Sequence, residues 1–134
     1  MLKSKSFLFS LLTTFFLLFT SFLNASAQRN FIPETSHKIT FDLSVISADG
    51  LVGTSDSLRA IDYEFCIPAN EQSLNEIRAI DPNIQYYHYS RGRINCHHDQ
   101  YLCIGNTHNF TWKKILMALA QLDYVKKIDQ FYGE

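Results

Sequence analysis

From Ile61 to Pro68 apolar and polar residues alternate without a break: Ile61, Tyr63, Phe65 and Ile67 against Asp62, Glu64 and Cys66. A period of two is the mark of a half-buried β-strand, and the closing proline fits a strand end. Asn70 then offers an N-cap for a helix from about Glu71 to Ile80, with Leu74, Ile77 and Ile80 as its buried stripe. Asp81-Pro82 stops it, because the residue before a proline is pushed out of the α region. The spacing predicts a second strand over residues 84–89 and a third over 101–107, separated by the turn Ser90-Arg91-Gly92-Arg93. Asn109 or Thr111 caps a second helix, whose Trp112, Ile115, Leu116, Leu119 and Leu122 share one face. A short last strand covers residues 127–132.

The predicted order is β-α-β-β-α-β, the split arrangement of ferredoxin-like folds: an antiparallel sheet with both helices on one face. Right-handed crossovers put the first and third strands in the middle. Upstream, Ile39, Phe41, Leu43 and Val45 alternate with polar residues and predict one further N-terminal strand. In an alternative α+β roll that strand belongs to the main sheet. The division is then a leader over 1–27, an arm with one strand over 28–57, and a single α+β domain over 58–134.

The leader is a signal-peptide pattern. Lys3 and Lys5 precede an apolar run from Phe7 to Leu23, and Ala25-Ser26-Ala27 is a small-x-small cleavage site that leaves Gln28 first. A retained N-terminal anchor is the alternative, although a spanning helix needs about 20 apolar residues. A secreted or periplasmic protein with no stable membrane span after cleavage is expected. Without Lys3 and Lys5, 10 of the 12 Lys+Arg remain against 13 Asp+Glu. That acidic balance argues against nucleic acid, whose phosphates call for a basic face.

Export permits a disulfide, and three cysteines leave one thiol over. With Leu102 and Ile104 turned toward the helices, Tyr101 and Cys103 share the open face with Glu64 and Cys66. The predicted pair is therefore Cys66–Cys103, with Cys96–Cys103 or three free thiols as alternatives. Tyr87, Tyr89 and Tyr101 form an aromatic patch on that face, joined by Phe131 from the edge. Such a face is either covered by its own chain or used for binding.

Cys96-His97-His98-Asp99, followed by Cys103 and His108, is the one dense run of metal-capable side chains. Cys96, His97, His98 and His108 are the candidate ligands, and zinc is the metal such donors suit. The C-x6-C spacing matches no standard zinc knuckle, so the competing reading is a solvated loop that contains a disulfide cysteine. A thiol enzyme would need Cys96 to be activated by a neighbouring histidine, and adjacent residues rarely reach that geometry.

The run from Leu119 to Asp129 resembles the last helix and strand of subtilisin-propeptide inhibitor domains. The resemblance covers those residues alone and implies a protease-binding or chaperone-like role, with no binding residue carried over. The functional expectation is a non-enzymatic module that binds a protein partner through its open sheet face or an edge strand, with no cofactor. Metal binding at residues 96–108 is the alternative.

Overall fold

The computed structural model describes residues 34–133, so the signal sequence expected over 1–27 lies outside the described residues. The described residues are α+β, with two α-helices and two antiparallel sheets. A hairpin of β1 (Leu51–Val52) and β2 (Arg59–Ala60) precedes β3 (Asp62–Pro68), α1 (Glu71–Ile80), β4 (Gln85–Tyr87), β5 (Gln100–Asn106), α2 (Trp112–Gln121) and β6 (Asp129–Phe131). The larger sheet has the order β4-β5-β3-β6, with every neighbouring pair antiparallel. No helix among the described residues is long and apolar enough to cross a membrane.

Local chemistry accounts for both helices. The Asn70 side chain accepts the Ser73 N–H at 2.8 Å, and α1 buries Leu74 and Ile77 while Ile80 is half-buried. Thr111 occupies the N-cap position of α2 without a side-chain capping bond; Asn109 accepts from the Thr111 N–H and hydroxyl instead. Buried Trp112, Leu116, Leu119 and Ala120 of α2 meet Tyr63, Phe65 and Ile67 of β3 in one hydrophobic core, which the buried side of α1 also joins.

The strand expected over Ile39–Val45 is absent. Glu34–Lys38 and Leu43–Val45 are short 3-10 turns, and only Ile39 touches a strand partner, through a parallel bridge to Ile128. Asp42 decides this locally: its carboxylate accepts the Ser44 N–H at 2.8 Å and the Ser44 hydroxyl at 2.6 Å, bonds that compete with a strand ladder. The same two bonds hold the Asp42 carboxyl below its ordinary range. Ile39 and Ile46 still reach the core, while Val45 is 60% exposed.

The faces of β5 are opposite to those expected. Phe65 pairs with Cys103 and Cys66 with Leu102, so Tyr101 and Cys103 point toward the helices while Leu102 and Ile104 lie on the outer face. Apolar residues on both sides of this strand hide its orientation. Packing resolves it, because Gly105 lies opposite Tyr63 and a β-carbon there would come within 2.4 Å of the Tyr63 ring. The glycine makes room for the tyrosine on the helix side.

Candidate functional site

The strand register arranges the outer face of the larger sheet in rows. One row holds Gln85, Ile104, Glu64 and Asp129; the next toward one end holds Tyr87, Leu102 and Cys66; the row toward the other end holds Asn106, Asp62 and Phe131. What covers each row is decided by the segment from Arg91 to Cys96.

Cys66 is bonded to Cys96 with a Cα–Cα distance of 5.5 Å, and Cys103 is the free thiol. The expected Cys66–Cys103 pair is thereby corrected. On neighbouring strands those two side chains project to opposite faces, and Cys66 reaches up to a loop. The loop closes on itself through Cys96 N–H donating to the Arg91 carbonyl at 2.7 Å. It turns through two left-handed residues, Gly92 (φ 61°) and Asn95 (φ 64°). Beneath it Glu64 has no exposed surface. One Glu64 oxygen, Oε1, accepts the Ile94 N–H at 2.9 Å, and Oε2 is buried without a partner. Burial pushes the Glu64 carboxyl up; Asp129 adds to this, while the Ile94 and Arg93 backbone and the Arg93 charge oppose it. Gly92 is required there, since a β-carbon would lie 2.5 Å from Glu64 Oε2 and 2.7 Å from Leu102.

The row at the far end is left bare by the described residues. A cavity of about 590 Å³ opens over it, lined by Asp62, Asn106, Gln85, Ile104, Tyr87 and Phe131, with Asp81, Asn83, Gly105, His108 and Asn109 completing the wall. That volume lies within the range of ordinary ligand pockets. Its floor is pre-ordered: the Asn106 amide donates to Asp62 and its oxygen accepts the His108 N–H at 2.8 Å, while the Tyr87 hydroxyl donates to Gln85 at 3.0 Å. An adjoining cavity of about 460 Å³ shares Tyr87, Ile104 and Phe131 and extends toward Arg93 and Tyr132.

Of the three tyrosines expected on the open face, the structure brings one to this site. Tyr87 lines both cavities. Tyr101 is corrected to the helix side, 9% exposed, where its ring meets Tyr86 at 5.3 Å and His88 at 4.4 Å. Tyr89 lies beyond the end of β4 and is 96% exposed. Asp62 and Asn106 carried no signal along the chain, because they meet only across the β3–β5 register. Phe131, from the edge strand, is in the cavity wall.

The four residues proposed as metal ligands do not converge. Cys96 is spent in the disulfide. His97 and His98 share a separate cavity of about 410 Å³ with His88, at the start of β5. His108 lies past the other end of that seven-residue strand, roughly 20 Å away at the usual rise of about 3.4 Å per residue. Among the described residues no three His, Cys, Asp or Glu side chains are grouped to hold a metal ion. The Cys103 thiol is fully buried, which pushes it up to about 12 and keeps it protonated, so it supplies no thiolate nucleophile.

Comparison with protein families, with curated proteins and with solved structures gives no match for this chain.

Proposed function

We propose that this chain is an exported, non-enzymatic binding module that engages a segment of a protein partner on the uncovered end of its outer sheet face and along the edge strand β4. The observation that carries the reading is the 590 Å³ cavity, because its polar floor is held in place by strands and its walls include two aromatic rings. Sites built on rigid strands lose little freedom when a ligand binds. Strand β4 pairs only with β5 among the described residues, so its outer edge is open to an added strand, and Gln85 and Tyr87 carry the cavity along that edge.

The fold we assign is ferredoxin-like, supported by the order β4-β5-β3-β6 and by the two helices entering one core. Export is supported by the leader pattern and by the Cys66–Cys96 bond, since disulfides persist in oxidising compartments. N-terminal sequencing of the protein recovered outside the cytoplasm should begin at Gln28.

Selection of random peptides displayed on phage tests the binding reading. Selected peptides should perturb the backbone amides of Tyr86, Tyr87 and Phe131 in ¹⁵N spectra of the oxidised protein. Failure to enrich any sequence, or perturbation confined to the helix face, would overturn it.

A further inference from the structure

We infer that the cavity over Asp62 receives a guanidinium group, the side chain of an arginine in the docking segment; this rests on the reading of that face as a binding surface. The cavity lining holds two carboxylates, Asp62 and Asp81, and no lysine or arginine. Among the described residues the one salt bridge joins Lys127 to Asp129, outside this cavity. The Asp62 side chain has a single neutral donor, the Asn106 amide. Asp81 is only 4% exposed and accepts one backbone N–H, from Asn83 at 3.0 Å; no donor among the described residues reaches its second oxygen. That oxygen is not among the fully enclosed polar atoms, and because Asp81 lines the cavity a cation entering there can pair with it. Its field is felt nearby: the Tyr63 hydroxyl, buried and without a partner, is pushed up first by burial and then by Asp81.

Charge alone would accept any cation. The walls narrow the choice, because Phe131 is the cross-strand neighbour of Asp62 and Tyr87 adds a second ring to the lining. A guanidinium is planar, weakly hydrated, stacks on rings and offers a fork of donors to carboxylate and amide oxygens; an ammonium is a strongly hydrated point charge. The molecule makes the same pairing one residue away, where the Arg78 guanidinium sits 5.0 Å from the centre of the Tyr86 ring. A sugar would satisfy the amides and leave both negative charges uncompensated. Gln85 and Tyr87 lie on the edge strand and also line the cavity, so a segment that crosses the outer face from β4 meets the same lining.

The test uses the full chain with its disulfide intact, labelled with ¹⁵N, and two kinds of probe. N-acetylarginine amide should shift the Asn106 side-chain amide and the Tyr87 and Phe131 backbone amides in a saturable way. N-acetylnorleucine amide should bind about tenfold more weakly or worse, and Asp62→Asn should cost the arginine probe a similar factor. Equal binding of the two amides, stronger binding of methyl glucoside, indifference to Asp62→Asn, or no shift at the solubility limit of the arginine probe would each overturn the inference. Extended hexapeptides with central arginine or norleucine separate it from the reading beneath. Both hexapeptides bound equally at β4 would sink the guanidinium and keep the docking surface. Arginine amide bound with neither hexapeptide engaged would keep the cavity's preference and sink the edge-strand reading.

Discussion

The two ends of one sheet face start from similar material and finish as different things. Glu64 and Asp62 are two residues apart on β3, point the same way, and each faces a β5 side chain across the sheet. Over Glu64 a six-residue loop, bonded through Cys66–Cys96, converts the face into interior: the carboxyl loses all solvent contact, and Leu102 beside it is 2% exposed. Over Asp62 no described segment closes, and the same strands present a cavity. The contrast teaches that the alternation of a strand selects a face, whereas a cross-link from elsewhere decides whether that face is core or surface.

Breaking the cross-link should have the largest effect. Removing it by Cys66→Ala with Cys96→Ala frees a loop closed at a sequence separation of 30, worth roughly 3–4 kcal/mol in the chain-entropy account. Urea unfolding should show that loss, and hydrogen exchange should speed at Ile94, whose N–H is held by Glu64. An unchanged Ile94 amide would mean that the loop holds its place without the bond. Gly92→Ala should come next, at about 2 kcal/mol, since alanine is strained at φ 61° and its β-carbon meets Glu64 and Leu102. An alanine variant as stable as the parent would show that the loop can lift without cost.

Legibility follows the same division. The inner face of β3, the span of α1 and its stop before Pro82, and the run of α2 were all readable, because period, cap and breaker agree there. Three readings failed, two of them together. Ile39, Phe41, Leu43 and Val45 imitate a strand, yet Asp42 and Ser44 stand at the spacing of a side-chain turn and win locally. Apolar side chains on both faces of β5 leave its orientation to the fit of Gly105 against Tyr63, a contact between residues 42 positions apart. The disulfide went astray with it, although Gly92 and Asn95 within Arg91–Cys96 are residue types that turn a chain sharply and so return Cys96 toward Cys66. The cavity was legible only through Tyr87 and Phe131, because its polar floor exists across strands and not along them.

The covered carboxyl supplies a titration of its own. Glu64 binds its proton more tightly when folded than when unfolded, because burial disfavours the charge. The folded state therefore holds more protons between the unfolded value near 4.5 and the raised folded value, and stability falls as pH rises through that window. Below the window the stabilisation is fully present, and above it the loss is complete. Glu64→Gln keeps an acceptor for Ile94 and removes the charge, so its stability should decline less across that window than the parent's and exceed it most at neutral pH. Urea midpoints of the two proteins at a series of pH values check this; parallel curves would show that Glu64 remains hydrated in solution.

Asp62→Asn should have the smallest effect on folding, within about 0.5 kcal/mol, because the residue is exposed and asparagine can still accept from the Asn106 amide. A larger loss would mean that the bare row stabilises the sheet as the covered row does. A gain is informative too. Removing one of two carboxylates in a cavity lined by no lysine or arginine relieves the remaining one, so a small increase in the urea midpoint that fades with added salt would measure their repulsion. The variant should thus be as stable as the parent or slightly more so while its cavity loses a negative charge that the proposed guanidinium would meet. A variant neutral for folding that weakens the arginine probe is the outcome the proposed docking surface requires.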